Sequence, residues 1–242
     1  MAFSTCGHVT HVGNVRTHNE DCYEVDADAN FCVLADGMGG HDGGEIASRI
    51  VVDCISREIR DGKPMAEALV QAHYAVRKAV DNGEGKPGMG STAVALKLDN
   101  GQFDVVWVGD SRAYVWDSED KQLTQITKDH SLVQHMIDEG RITPEEALVH
   151  PQRNYITQAL GMSDLYKMEV GRVQGGLQHG QQLLLCSDGL SGEVSTAEMI
   201  EILKLELNER QKVDLMIQKS LDNGGADNVT ALLVTVVVES EN

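Results

Sequence analysis

Apolar residues recur at two different spacings along the chain. Over 44–60 and again over 65–81 they stand three and four positions apart, which predicts two successive helices. Two short segments, 8–13 and the apolar run 31–35 (FCVLA), predict strands instead. The glycine- and proline-containing segment 83–88 ends this first part, because both residues interrupt regular structure.

A hairpin is the strongest signal in the middle of the chain. STAVALKL and QFDVVWVG flank Asp99-Asn100-Gly101, and Asn-Gly tolerates the positive φ angles that a tight turn needs. RAYVWD and QLTQIT predict two further strands, and NVTALLVTVVV predicts a closing strand.

Helix signals lie between these later strands. Helices are predicted over 131–139, with Gly140 in the position that closes it, and over about 209–222. TPEE at 143–146 and STAE at 195–198 are capping boxes, each of which predicts a helix start.

The order of these elements predicts the fold class. Helices come in pairs and strands come in runs, without strict strand–helix alternation. This favours an α+β fold, with antiparallel sheets and helices packed outside, over a doubly wound parallel sheet. Because no internal repeat or linker is evident, the chain is predicted to be one domain over residues 1–242.

Composition narrows the classes of function. The chain has 242 residues, 41% of them hydrophobic, which suits a packed core rather than disorder. Its 20 Lys and Arg against 38 Asp and Glu give a formal net charge of −18, which argues against nucleic acid or an anionic membrane as partner. Five cysteines without a CxxC pair, no long apolar run and no signal peptide pattern predict a cytoplasmic protein with reduced thiols.

Candidate chemistry lies in aspartates at predicted strand ends, close to glycines. Asp36, Asp110 and Asp188 each follow an apolar run, and Asp227 precedes one. If these ends converge, their carboxylates repel one another unless a cation lies between them. Hard oxygen ligands suit Mg²⁺ or Mn²⁺, and two such ions can share and acidify a water molecule. Spacing alone does not show that the four ends converge.

Eight segments in order resemble a known family. They are GNVRTHNEDC, VLADGMGGHDGGEIAS, GSTAV, VGDSRAYVW, TKDHSLVQHMIDEGRIT, HPQRNYITQALG, LLLCSDGLSGEV and GGADNVTALLV. Together they resemble the metal-dependent Ser/Thr protein phosphatases of the PP2C type (the PPM family), in their compact bacterial form. The resemblance implies a four-layer α-β-β-α sandwich of two antiparallel sheets flanked by helix pairs.

The resemblance also implies a metal site with two or three Mn²⁺ or Mg²⁺ ions. Asp36 matches the carboxylate that bridges two ions, and Gly37 matches the residue whose carbonyl binds the second ion. Asp188 and Asp227 match the other ligands of the first ion. Asp110 matches, together with Asp188, the ligands of a third ion, and its alternative role is a hydrogen-bond acceptor behind the site.

Other positions match groups around the metals and the substrate. Asp21 matches an acid that holds metal-bound water, with Glu20 as the alternative, and Asn228 is expected to orient Asp227 or such a water. Arg16 matches the substrate-phosphate ligand, since a guanidinium meets two phosphate oxygens at once.

The acid that protonates the leaving group is left open by the sequence. Many eukaryotic members have a histidine where this chain has Met38, which cannot donate a proton. His41 is the candidate substitute, and its alternative role is a local hydrogen bond within the loop. A metal-bound water is the other candidate acid.

A flap-like segment at about 128–160 completes the resemblance. His130, Arg141, His150 and Arg153 could contact a phosphoprotein there, and the alternative is a stable surface helix pair with solvated charges.

The function implied is hydrolysis of phosphoserine and phosphothreonine in proteins by a metal-bridging hydroxide. The expected partner is a phosphorylated protein, either a bacterial Ser/Thr kinase that the enzyme opposes or that kinase's target, and the chain is expected to be a monomer. The alternative is a catalytically silent relative that binds phosphoproteins or acts as a sensor.

Overall fold

The computed structural model describes residues 2–39, 43–99, 101–162, 168–178 and 180–237. The strands are β1 (Ala2–His11), β2 (Asp21–Asp26), β3 (Phe31–Met38), β4 (Gly90–Ser91), β5 (Ala93–Asp99), β6 (Gln102–Val108), β7 (Arg112–Asp117), β8 (Gln122–Gln125), β9 (Gly171–Gly176), β10 (Gln182–Cys186) and β11 (Val229–Val237). The helices are α1 (Gly43–Arg60), α2 (Met65–Asp81), α3 (Leu132–Asp138), α4 (Pro144–Leu148), α5 (Asp188–Ser191), α6 (Thr196–Leu203) and α7 (Glu209–Asp222).

The strands form two antiparallel sheets. The first sheet has the order β1-β11-β10-β7-β8, so its centre pairs the last strand of the chain with β10. The second has the order β2-β3-β5-β6-β9, with the short β4 paired to the end of β3. β6 and β7 are consecutive in sequence but lie in different sheets, and Gly109, Asp110 and Ser111 connect them.

Three apolar cores separate four layers. Leu34 and Leu96 of the second sheet pack against Leu183 and Leu232 of the first, which fills the space between the sheets. The outer face of the second sheet packs on α1 and α2, and the outer face of the first packs on α6 and α7. The α+β sandwich expected from the order of elements is therefore confirmed.

Helices follow the sequence prediction more closely than strands do. Both predicted capping boxes form at Thr143 and Ser195, and Gly140 closes α3 with a φ of +67°. The first strand covers Ala2–His11 rather than 8–13, and β2 and β9 were not predicted. β9 (GRVQGG) is half glycine and lies at a sheet edge, so it carries almost no apolar pattern. The turn residue Asn100 lies outside the described residues.

Within the described residues, no helix has both the length and the apolar composition needed to cross a membrane. All five cysteines are free thiols, and Cys32, Cys54 and Cys186 are buried. The expectation of unpaired cysteines therefore agrees with the structure.

Candidate active site

One edge of the sandwich gathers the acidic strand ends. Asp36 lies near the end of β3, and Asp188 directly follows β10. Asp227 lies just before β11, and Asp110 lies in the connection between the two sheets. Asp21 begins β2 and pairs in register with Asp36, which adds a fifth carboxylate.

The carboxylates are close enough to shift one another's titration. Burial raises the pKa of Asp36 well above its usual range, and the negative charges of Asp21, Asp188, Asp110 and Asp227 raise it further. Burial likewise raises the pKa of Asp188, with Asp227 adding to the rise, while a hydrogen bond from Asp36 opposes it. These shifts favour a protonated Asp36 that donates a hydrogen bond to Asp188, which relieves part of the repulsion.

Asp21 is buried behind these groups and is held by two hydroxyls. Its Oδ2 accepts hydrogen bonds from Ser187 Oγ at 2.9 Å and Thr230 Oγ1 at 2.6 Å. Burial raises the pKa of Asp21 to about 7 although both hydroxyls lower it. The sequence does not single out Thr230, because a threonine within the apolar run of β11 gives no local sign of this contact.

The carboxylate cluster fits a divalent metal by its chemistry. Asp21 Oδ1 and Asp188 Oδ1 are buried without a hydrogen-bond partner among the described residues, which is costly unless a cation coordinates them. All five side chains supply hard oxygen donors, as Mg²⁺ and Mn²⁺ require. Among the described residues, no three acidic, histidine or cysteine side chains are yet arranged as a ready coordination shell. Coordinating carboxylates must be deprotonated, so metal binding would displace the proton that the Asp36 environment favours.

Gly37 and Glu20 lie where helix α1 meets the site. A Cβ atom on Gly37 would lie 2.0 Å from the Gly44 carbonyl oxygen, so only glycine fits this approach. The Glu20 carboxylate accepts a hydrogen bond from the Gly44 backbone N–H in the first turn of α1. Its contacts therefore stabilise a helix N-terminus, while Asp21 has the partners expected of a buried acid behind the metal site.

Arg16 reaches the cluster through Asp227. Its Nη2 lies 2.7 Å from Asp227 Oδ2, and half of the Arg16 side chain (52%) stays exposed to solvent. The hydrogen bond and charge of Asp227 raise the pKa of Arg16. A guanidinium with this exposure beside the carboxylates is available to an incoming anion.

The loop that carries Arg16 is fastened to the segment before β11. Asn228 Oδ1 accepts from the Glu20 N–H at 2.7 Å, and its Nδ2 donates to the carbonyls of Val12 and His18 at 2.9 Å each. Gly13 approaches closely enough that a Cβ would lie 2.2 Å from the Asp227 carbonyl oxygen. The Asn228 side chain thus holds the loop, and only its backbone N–H contacts Asp227 Oδ1, at 2.8 Å.

Asn228→Ala is expected to lower the free energy of unfolding by about 2–3 kcal/mol, because it leaves three buried or partly buried backbone groups unsatisfied. Urea denaturation measures the change. Asn223→Ala is the matched control, since the side-chain hydrogen bond of Asn223, to the Glu193 carbonyl, is exposed. Equal losses in the two variants would contradict the anchoring role.

Small polar residues support Asp36 and Asp110 from within the sheets. Thr92 Oγ1 accepts from the Asp36 N–H at 3.1 Å and bonds Ser111 Oγ at 2.8 Å. Ser91 Oγ donates to the Asp36 carbonyl at 2.9 Å. Gly109 has a φ of +104° and a Cβ there would lie 2.6 Å from Thr92, so the connection between sheets needs glycine at this point.

The start of segment 128–160 is tied to the Asp110 connection. His130 Nδ1 accepts from the Gly109 N–H at 3.1 Å, and burial lowers the pKa of His130. Arg112 forms a bidentate ion pair with Asp129, donating from Nε at 3.0 Å and from Nη2 at 2.7 Å. Burial raises the pKa of Asp110 to about 7, and the charges of Asp188 and Asp129 add to it.

The remaining basic residues of this segment point elsewhere. Arg141 pairs with Glu139 at 3.2 Å and is exposed, and His150 Nδ1 accepts from the Gln152 N–H. Arg153 is exposed. No contact joins these three to the carboxylate cluster among the described residues, whereas His130 is built into the site's support. His41 lies outside the described residues.

Packed antiparallel sheets with a carboxylate cluster and an adjoining guanidinium at one edge define the layout of a metal-dependent phosphatase. The family model for protein phosphatase 2C matches residues 12–236. The chain belongs to the protein phosphatase 2C family, which confirms the resemblance stated from the motifs.

Named relatives and solved structures agree with this family. The serine/threonine protein phosphatase PstP of Mycobacterium tuberculosis is 39% identical over 232 residues, which cover 93% of this chain and 43% of PstP. The chain thus spans less than half the length of that relative. The serine/threonine phosphatase stp of Listeria innocua is 36% identical over 235 residues, 92% of each chain.

Solved structures of PstP have the same fold. The crystal structure of the Mycobacterium tuberculosis phosphatase PstP matches with a TM-score of 0.87 and 34% identity, covering 97% of this chain and 99% of that one. A structure of the PstP catalytic domain in complex with two manganese ions matches with a TM-score of 0.81 and 35% identity, covering 97% and 98%.

Proposed function

We propose that this protein hydrolyses phosphoserine and phosphothreonine in other proteins in a metal-dependent reaction. The observation that carries the proposal is the carboxylate cluster of Asp36, Asp188 and Asp227 with the Arg16 guanidinium 2.7 Å from Asp227. Relatives named as serine/threonine phosphatases support it, as does the PstP structure with two manganese ions.

The metal ligands follow from the same residues. Asp36 would bind two Mn²⁺ or Mg²⁺ ions with its two oxygens, Asp188 and Asp227 would complete the first, and the Gly37 carbonyl would bind the second. Asp21 would accept hydrogen bonds from water at the ions. When bound, the ions supply positive charge for the phosphoryl oxygens and acidify water.

Asp110 supports two proposals. Beside Asp188 it is placed to contribute to a third ion, and otherwise it is an acceptor behind the site. The charges of Asp129 and Arg112 act on the Asp110 carboxyl in opposite directions, which is consistent with either role.

Arg16 orients the substrate phosphate with its fork of N–H donors, and Asn228 and Gly13 hold the Arg16 loop in place. Hydrolysis breaks the bond from phosphorus to the Ser or Thr oxygen, and that oxygen must gain a proton. Met38 cannot supply it, so His41 and a metal-bound water stay the two candidate acids.

Several expectations from the sequence stay predictions. These are the single domain over 1–242, the flap role of segment 128–160, the monomer, the cytoplasmic location and the opposing Ser/Thr kinase. The silent relative is disfavoured because every carboxylate that the resemblance assigns to the metals is present.

Phosphate release from a phosphothreonyl peptide tests the function. Protein stripped of divalent metal and then given Mn²⁺ is expected to release phosphate, and stripped protein without metal is not. Folded protein that releases none with Mn²⁺ or Mg²⁺ would favour the silent, phosphoprotein-binding relative.

Arg16→Ala is expected to lower kcat/KM for that peptide by about 100-fold, because bidentate charge-assisted hydrogen bonds to the phosphate are lost. Arg16→Lys should retain more of the wild-type kcat/KM than Arg16→Ala but not all of it, since an ammonium lacks the planar fork of N–H donors. Arg49→Ala is the matched control, an exposed arginine of α1 paired with Glu45. Equal kcat/KM values for Arg16→Ala and Arg49→Ala would contradict the phosphate-binding role.

A further inference from the structure

A second cavity lies at the end of the first sheet opposite the acidic edge. Gln182, which lines it, begins β10, whereas Asp188 follows the end of that strand. Trp116 also lines it, near the end of β7, whereas Asp110 precedes the start of β7. The cavity has a volume of about 350 Å³. It is therefore separate from the carboxylate site, because the paired strands β7 and β10 run side by side from one to the other.

The lining of this cavity is basic, in a chain whose net charge is −18. Lys121, Lys204 and Lys212 converge on it from the β7–β8 turn, the end of α6 and the first turns of α7. None of the described residues that line it is acidic. Three ammonium groups around one space repel one another unless an anion lies among them.

Lys212 is the central observation. Lys212 is buried, with only 8% of its surface exposed. Its Nζ makes one hydrogen bond, to Gln182 Oε1 at 3.3 Å. An ammonium has three donors, so two have no hydrogen-bond partner among the described residues and can face the cavity. The described part of the chain offers Lys212 no ion pair within 4 Å; Glu209 acts on it only at longer range and partly offsets the lowering of its pKa by burial.

The position of the ammonium is fixed from behind. Gln182 Nε2 donates to Thr235 Oγ1 at 2.7 Å, which turns Gln182 Oε1 toward Lys212. Lys204 pairs with Glu201 at 2.7 Å, but this pair is exposed, and exposed pairs are weak enough for an anion to compete.

We propose that this cavity binds a small metabolite carrying two or more phosphate or carboxylate groups. The volume lies at the small end of the range for ligand sites, which suits a compact anion rather than a peptide. The alternative is that Lys212 is buried only because its aliphatic stem packs against apolar neighbours. That alternative does not explain why Lys121 and Lys204 line the same cavity, or why none of its described lining residues is acidic.

The test is calorimetric titration of the full chain, stripped of divalent metal and dialysed free of chelator, with pyrophosphate and with citrate. Binding at Arg16 would be unaffected by substitution of the cavity lysines, so the lysine variants distinguish the basic cavity from the acidic edge, and the titration does not depend on phosphatase activity. We expect saturable binding, weakened at least about tenfold in Lys212→Met and in Lys204→Met, since each loses a charge-assisted contact.

Lys219→Met is the matched control, because Lys219 lies on the same helix but pairs with Glu198 at 3.0 Å and does not line the cavity. Lys204→Met keeps the proposal testable if Lys212→Met fails to fold. The probe bound more tightly identifies the anion as phosphate-bearing or carboxylate-bearing. Absence of saturable binding, or equal affinity in all variants, as expected if the anion lies on Arg16, would overturn the proposal.

Discussion

Asp36→Asn is expected to lower metal-dependent kcat/KM by at least about 10³-fold, which corresponds to about 4 kcal/mol of transition-state stabilisation. Asp36 lies at the centre of the cluster and interacts with all four other carboxylates. An amide keeps the shape of the side chain but loses the charge and one of the two oxygens that two ions require. Phosphate release at several Mn²⁺ concentrations measures the effect.

The same substitution is expected to stabilise the metal-free protein at pH 8. Asp36 is the carboxyl whose pKa burial and four neighbouring charges raise well above normal, so its ionised form is costly. Asparagine is neutral without taking up a proton, which a folded Asp36 must do at this pH, and its amide N–H can donate to Asp188. Thermal melting should therefore show a higher Tm than wild type without metal and a smaller gain on adding Mn²⁺.

Asp28→Asn is the matched control, because Asp28 is an exposed turn residue away from the site. It should leave both activity and the Mn²⁺ effect on Tm unchanged. An Asp36→Asn variant that is as active as wild type would show that the cluster does not hold the metal. A variant that is inactive and less stable without metal would show that Asp36 acts as a structural residue.

Stabilisation by Mn²⁺ is expected to grow as pH rises from 5.5 to 7.5. The folded-state pKa values of Asp21 and Asp110 are about 7, above the ordinary aspartate value. The folded protein therefore holds protons that the unfolded chain has already lost, and the metal-free protein loses stability as pH rises through this window. For one such group the loss is roughly 2 kcal/mol over the two pH units.

Metal binding reverses the sign of this dependence. Coordinating carboxylates must be deprotonated, so Mn²⁺ competes with protons below pH 7 and binds freely above it. His73 and His130, whose pKa values are lowered by burial, oppose the trend in the metal-free protein alone. Their contribution is the same with and without Mn²⁺, so it cancels when the two free energies of unfolding are subtracted. A difference that stays constant across the window would contradict coupling between the carboxylates and the metal.

Local patterns were sufficient for the helices and for most strands. The period of apolar residues placed α1 and α2, and the capping boxes placed the starts of α4 and α6, because caps are made by residues three positions apart. α7 has a third capping box, Asn208 with Gln211, which could have been read in the same way. β2 and β9 were missed because an edge strand buries too little apolar surface to leave a pattern.

The sequence by itself determined the longer helices, most of the strands, and the aspartates that stand at strand ends. Only the tertiary structure decided which of them meet. β6 and β7 part into different sheets at Gly109, and this brings Asp110 toward Asp188.

Contacts far apart in sequence complete the site. Arg16 meets Asp227 from 211 positions away, and Asn228 anchors the Arg16 loop rather than orienting a carboxylate with its side chain. The roles of Glu20, at the start of α1, and of Thr230, behind Asp21, depend on the same packing. Periodicity predicts which face of an element is buried. Strand register and sheet packing determine which residues that face contacts, and both depend on the whole core.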